Sequence, residues 1–186
     1  MVRFIFSPTA LNGLLLVQRT CLEDARGFFS RFFCADEFAP AGFDSPIAQI
    51  NHTLTRQRGA VRGLHFQHPP HAEVKLVSCV RGSVFDVAVD LRRNSETFLG
   101  WHAETLSANN QRSLLIPRGF AHGFQALDDD CELLYLHSRA HAPAAEGALN
   151  ALDARLAIAW PLAFTDISAR DRAHPAIEAG FTGVEQ

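Results

Sequence analysis

Runs rich in Phe, Val, Leu and Ile, punctuated by Gly, Pro and Asn, recur along nearly the whole chain. This rhythm predicts an all-β sandwich or barrel rather than a helical fold. The first predicted strand is Leu14-Leu15-Leu16-Val17, and Asp24-Ala25-Arg26-Gly27 reads as a turn. Residues 28–33 follow as a strand or bent aromatic stretch, and 35–39 as one helical turn stopped by Pro40 and Gly42. From Ile47 the alternation sharpens: Ile47, Gln49 and Asn51 share one face, Ala48, Ile50 and His52 the other. Residues 61–66 resume the sheet. Residues 74–80 and 84–91, joined by Arg81-Gly82-Ser83, predict a hairpin. In its second arm Phe85, Val87, Val89 and Leu91 oppose Asp86, Ala88 and Asp90, so one face meets a core and the other a more polar space. Strands are also expected over 101–106, 113–116 and 131–137, with a forced bend from Pro117 to Phe124 beside His122. After residue 140 a shift to Ala, Asp, Arg and Pro suggests loops and short helices closing one end.

The 186 residues suffice for one sizeable core, so a single domain over 1–186 is expected. Charged content of 20% and a net charge of -3 give no cationic footprint for nucleic acid. Any anionic ligand must then be held by local arginines. The N-terminal apolar stretch is broken by Pro8 and Asn12, and no apolar run approaches the roughly 20 residues that cross a bilayer. Cys21, Cys34, Cys79 and Cys131 form no C-x-x-C pair and are expected as buried thiols, which fits a reducing cytoplasm.

Three side chains stand out as candidate chemistry. His65 is suited to act as a general base near neutral pH, with Asp171 as a partner to hold its ring; equally, it is a hydrogen-bonded sheet residue. Lys75, in an apolar strand, must either meet an acid such as Asp86 or Asp90 across the hairpin or face a cavity that receives an anion. Tyr135 is the lone tyrosine, on an apolar strand where packing alone would explain it. A metal site on His65, Gln67 and His122 lacks enough ligands, because Gln67 stands where metal-binding relatives of this pattern carry a histidine or carboxylate.

The motifs Asp24-Ala25-Arg26-Gly27-Phe28-Phe29, Gln49-x-Asn51, Arg62-Gly63-Leu64-His65-Phe66-Gln67, Lys75-Leu76-Val77 and Gly82 to Arg92 are similar, in order, to those of the dTDP-4-dehydrorhamnose 3,5-epimerase family. So are Ile116-Pro117-x-Gly119-Phe120-Ala121-His122-Gly123-Phe124, Leu134-Tyr135, Ile158-x-Trp160-Pro161 and Ser168-x-x-Asp171. The resemblance implies a cupin jelly roll (a double-stranded β-helix) and a homodimer, acting without a metal or other cofactor on a nucleotide-linked 4-keto-6-deoxyhexose. It implies His65 as base, Asp171 as its orienting acid, Tyr135 as proton donor and Lys75 as the cation near the keto oxygen. It further implies Arg26, Gln49, Asn51, Arg62, His122 and Glu146 as substrate-binding residues. The chain departs from the family pattern at Phe29-Ser30-Arg31, at Arg139-Ala140-His141 and at Asn51-His52-Thr53-Leu54-Thr55. Inversion at C3 alone or C5 alone, a metal-dependent cupin enzyme, and a silent sugar-nucleotide-binding module are the competing readings.

Overall fold

A computed structural model describes residues 2–185. It contains two facing antiparallel sheets and a separate hairpin. The chain enters through β1 (Phe4–Pro8) and β2 (Leu15–Arg19), then forms the hairpin β3 (Cys21–Asp24) and β4 (Gly27–Ser30) and the short helix α1 (Ala35–Phe38). Eight strands follow: β5 (Gln49–Thr55), β6 (Val61–Gln67), β7 (Lys75–Arg81), β8 (Ser83–Asp90), β9 (Trp101–Ser107), β10 (Arg112–Ile116), β11 (Phe120–Ala126) and β12 (Cys131–His137). A short strand β13 (Glu146–Ala148) and helix α2 (Ala169–Arg172) lie near the C-terminus.

The sheet orders are β1-β2-β10-β7-β12-β5 and β13-β6-β11-β8-β9. In consequence β5 pairs with β12, β6 with β11, β7 with β10 and β8 with β9, all antiparallel. One long folded-over ribbon, alternating between the sheets as it goes, is the double-stranded β-helix of a jelly roll. The expected hairpin between residues 74–80 and 84–91 is therefore overturned. β7 and β8 lie in different sheets, and Gly82, with φ +70°, turns a corner between them. Strand alternation was legible there; the partner was not, because a tight corner and a hairpin turn use the same residues.

Alternation divides each strand between layers. Val77, Cys79, Val84, Ala88, Leu114, Phe120, Phe124 and Leu133 point between the sheets and form a dry core. Val87, Val89, Leu91, Leu64 and Phe66 point outward beneath the C-terminal segment, against Leu156, Trp160 and Phe181. Both faces of β8 are thus covered. The outer face of the other sheet is sealed by Phe4, Phe38 and Phe43. Each fully buried Leu or Phe contributes about 1.5–3 kcal/mol, so these three layers hold the frame against which the polar interior positions are fixed.

Two smaller expectations also change. Residues 120–124 lie in strand β11, and the turn that precedes it is at Arg118 and Gly119 (φ +82°). Cys79 and Cys131 are buried, but Cys21 and Cys34 are only half-buried; all four are unpaired. Among the described residues, no helix is long and apolar enough to cross a membrane.

Candidate active site

At one end of the space between the sheets the inward positions change from apolar to polar, opening a cleft of about 230 Å³. From one sheet, β5 supplies Gln49, Asn51 and Thr53, β7 supplies Lys75, and β12 supplies Tyr135 and His137. From the other, β6 supplies His65 and Gln67, β11 supplies His122, and β13 supplies Glu146.

Arg62 and His65 both line this cleft although three positions apart, a spacing that puts side chains on opposite faces of a regular strand. A β-bulge resolves the conflict. His122 pairs with His65 and Phe124 with Arg62, so Gly63 and Leu64 together oppose the single residue Gly123. The backbones press together here: a Cβ on Gly63, itself at φ +121°, would stand 2.5 Å from Cα of Gly123. Only glycines permit that approach.

The bulge also builds the base. Its Gly63 N–H donates to Asp171 Oδ2 (3.3 Å), while Asp171 Oδ1 lies 2.8 Å from Nε2 of His65. Ser168 caps α2 by accepting the Asp171 N–H, which fixes the carboxylate's approach. Burial alone would raise the Asp171 carboxyl, but the His65 contact and the Gly63 and Ser168 hydrogen bonds hold it below the usual carboxylate range. An ionised Asp171 can only accept, so His65 donates from Nε2 and carries its lone pair on Nδ1. Burial lowers the pKa of His65 from 6.5; Asp171 opposes that, and Arg170 and Lys75 reinforce it. The ring is accordingly a neutral base at pH 7.

A base must be unprotonated to work, so kcat/KM is expected to rise with pH and reach its plateau by neutrality, with a midpoint below about 6.5. Asp171→Asn removes the contributions that raise the imidazole pKa and should move that midpoint lower. A pH–rate profile with its acid limb centred above pH 7 would contradict this.

Tyr135 reaches the cleft from the opposite sheet, its ring 5.8 Å from His122 and 6.0 Å from His137. Burial, with Asp86 nearby, pushes the phenol well above its ordinary value, so it stays protonated and able to donate. Lys75 does not pair with Asp86 or Asp90. Its Nζ meets Glu73 at 3.1 Å and the His65 carbonyl at 3.3 Å while also lining the cleft. Asp90 is instead taken by Arg92, Ser95 and Thr97, and Asp86 by His122 Nε2 at 2.9 Å. The separation of β7 and β8 is the reason.

Gln49, Asn51, Arg62, His122 and Glu146 all line the cleft. Arg26 does not: it sits on the β3–β4 turn, 90% exposed, paired with Asp24. Glu73 and His137 were not singled out from the sequence, yet both line the cleft, each two residues from one that was, Lys75 and Tyr135. Arg170 and His174 were also missed. The one group of three metal-capable side chains among the described residues is His65, Asp171 and His174, which leaves out His122. Arg170 stands 3.3 Å from His65 Nε2 and 3.7 Å from Asp171 Oδ1, a fixed cation beside the pair.

A family model described as dTDP-4-dehydrorhamnose 3,5-epimerase matches residues 8–179. The chain belongs to that family. It is 39% identical over 176 residues to a dTDP-4-dehydrorhamnose 3,5-epimerase of Salmonella typhimurium, covering 94% of this chain and 96% of that one. It is also 39% identical over 166 residues to a dTDP-4-dehydrorhamnose 3-epimerase of Streptomyces niveus, covering 89% and 80%. The crystal structure of the Legionella pneumophila epimerase in complex with dTDP-4-keto-L-rhamnose superposes with a TM-score of 0.91 at 35% identity, covering 98% of this chain and 99% of that one. As a member of the family, the chain is a sugar-nucleotide isomerase of the jelly-roll type.

Proposed function

We propose that this enzyme, acting as one domain over residues 1–186, converts dTDP-4-dehydro-6-deoxy-D-glucose to dTDP-4-dehydro-L-rhamnose, inverting C3 and C5 in turn. The observation that carries the reading is the neutral His65, held by Asp171 at 2.8 Å on one sheet, and a protonated Tyr135 on the facing sheet of the same cleft. The C4 ketone acidifies the adjacent C–H bonds, because the carbanion left behind is an enolate with its charge on oxygen. His65 takes the proton, Lys75 stabilises the developing enolate, and Tyr135 returns a proton from the other face. The substrate's own carbonyl provides the electron sink, so the route needs no metal or other cofactor. The diphosphate is assigned to Arg62, which the cleft shares with an adjoining hollow of about 590 Å³ lined by Arg56 and Arg170.

Proton NMR in heavy water with dTDP-4-keto-6-deoxy-glucose is expected to show deuterium entering at both C3 and C5, undiminished by EDTA. Exchange at one carbon only would reduce the enzyme to a mono-epimerase, and no exchange would remove the reading.

We further propose a cytoplasmic homodimer, in keeping with the unpaired cysteines. The β3–β4 hairpin joins neither sheet and exposes Leu22, Phe28 and Phe29, and an isolated hairpin is marginal in water. Packed on a second copy, it would carry Arg26 toward that copy's cleft. Sedimentation should report a dimer that Phe28→Glu with Phe29→Glu dissociates; a wild-type monomer refutes the assembly.

A further inference from the structure

Behind Lys75 lies a chain of hydrogen bonds whose direction is set by the backbone. The His141 N–H donates to Gln49 Oε1 (2.9 Å), so the Gln49 amide nitrogen must face Asn51 Oδ1, as it does at 2.9 Å. That turns the Asn51 amide nitrogen toward Nε2 of His137, 3.3 Å away. A backbone N–H cannot accept, so no amide in this series can be reversed without leaving two donors face to face. Nε2 of His137 is therefore the acceptor, and its proton sits on Nδ1, which donates to Glu73 at 3.0 Å. A second series converges on the same carboxylate. The Ala142 N–H donates to Gln67 Oε1, and the Gln67 amide nitrogen donates to Glu73 at 3.1 Å.

Glu73, 8% exposed at its side chain, thus receives His137, Gln67 and the Lys75 ammonium at 3.1 Å. The Lys75 ammonium has three N–H bonds. Glu73 takes one and the His65 carbonyl another, leaving the third for the cleft.

From this arrangement we infer that Glu73 and His137 are positioning residues for the epimerisation: Glu73 aims the free N–H of Lys75 at the substrate's keto oxygen, and His137 sets which atoms Asn51 and Gln49 present to the sugar. The inference rests on the epimerase reading. The roles are separable, because Lys75 acts on charge that grows in the transition state, whereas the amides contact the bound sugar from the start.

The test is a double-mutant cycle on folded protein, assayed below the melting temperatures of all variants. Glu73→Gln keeps the shape and removes the charge; it should lower kcat about 10- to 100-fold with KM little changed. In a Lys75→Met background the same substitution should cost nothing further. His137→Phe keeps the ring beside Tyr135 and should raise KM several-fold with a smaller change in kcat. Unaltered kcat in Glu73→Gln, or an equal second loss in the Lys75→Met background, overturns the inference. Heavy-water exchange by the wild type in the same assay distinguishes this failure from a failure of the epimerase reading.

Discussion

Replacing His65 by alanine is expected to lower kcat/KM by about 10²- to 10⁴-fold, the usual contribution of a positioned general base, and to suppress deuterium uptake by the same factor. The two losses should match, because every route to exchange begins with removal of a proton. Asp171→Asn should lie between this variant and the wild type. Its amide can still meet the ring, but it no longer stabilises the imidazolium formed when His65 takes the proton, and it can hold the wrong tautomer. Exchange that persists at the wild-type rate in His65→Ala would show that another group is the base.

Tyr135→Phe should separate two events that the wild type couples. With the phenol gone, His65 still removes the proton and Lys75 still meets the enolate, but the proton can return only from the His65 side. Deuterium is then expected to enter the substrate with retained configuration, while inversion falls by about 10²- to 10⁴-fold. The phenyl ring fills the same half-buried space beside His122, so the fold should be little affected. The check is to compare, in one NMR time course, the signals of exchanged starting sugar and of inverted product. Loss of exchange in proportion to inversion would place Tyr135 in the first proton transfer instead.

The strands were legible in the sequence wherever period-two alternation met clear punctuation. Residues 131–137 form β12 over the range expected, and Gln49 and Asn51 share the inward face that their spacing implied. Pairing was harder, because it depends on which distant strand completes a ladder. β7 finds β10 and β12 rather than β8, and the expected acid partners of Lys75 moved with that change. The His65–Asp171 contact joins residues 106 positions apart, beyond anything local pattern can reveal; Asp171 is one candidate partner on residue chemistry, and the family resemblance is what singles it out. Arg26 shows the reverse limit, since its exposed position in one chain gives no local sign of a site.

The surplus residue at 63–64 sets how this stretch can vary. Arg62 and His65 share a wall because β6 is one residue longer there than its partner. Deleting Gly63 would restore strict alternation and leave both polar side chains on that wall, two positions apart, but it would remove the backbone N–H that Asp171 accepts beside His65. The interval between the arginine and the histidine is therefore fixed in length, and insertions or deletions compatible with activity belong in the connections outside it.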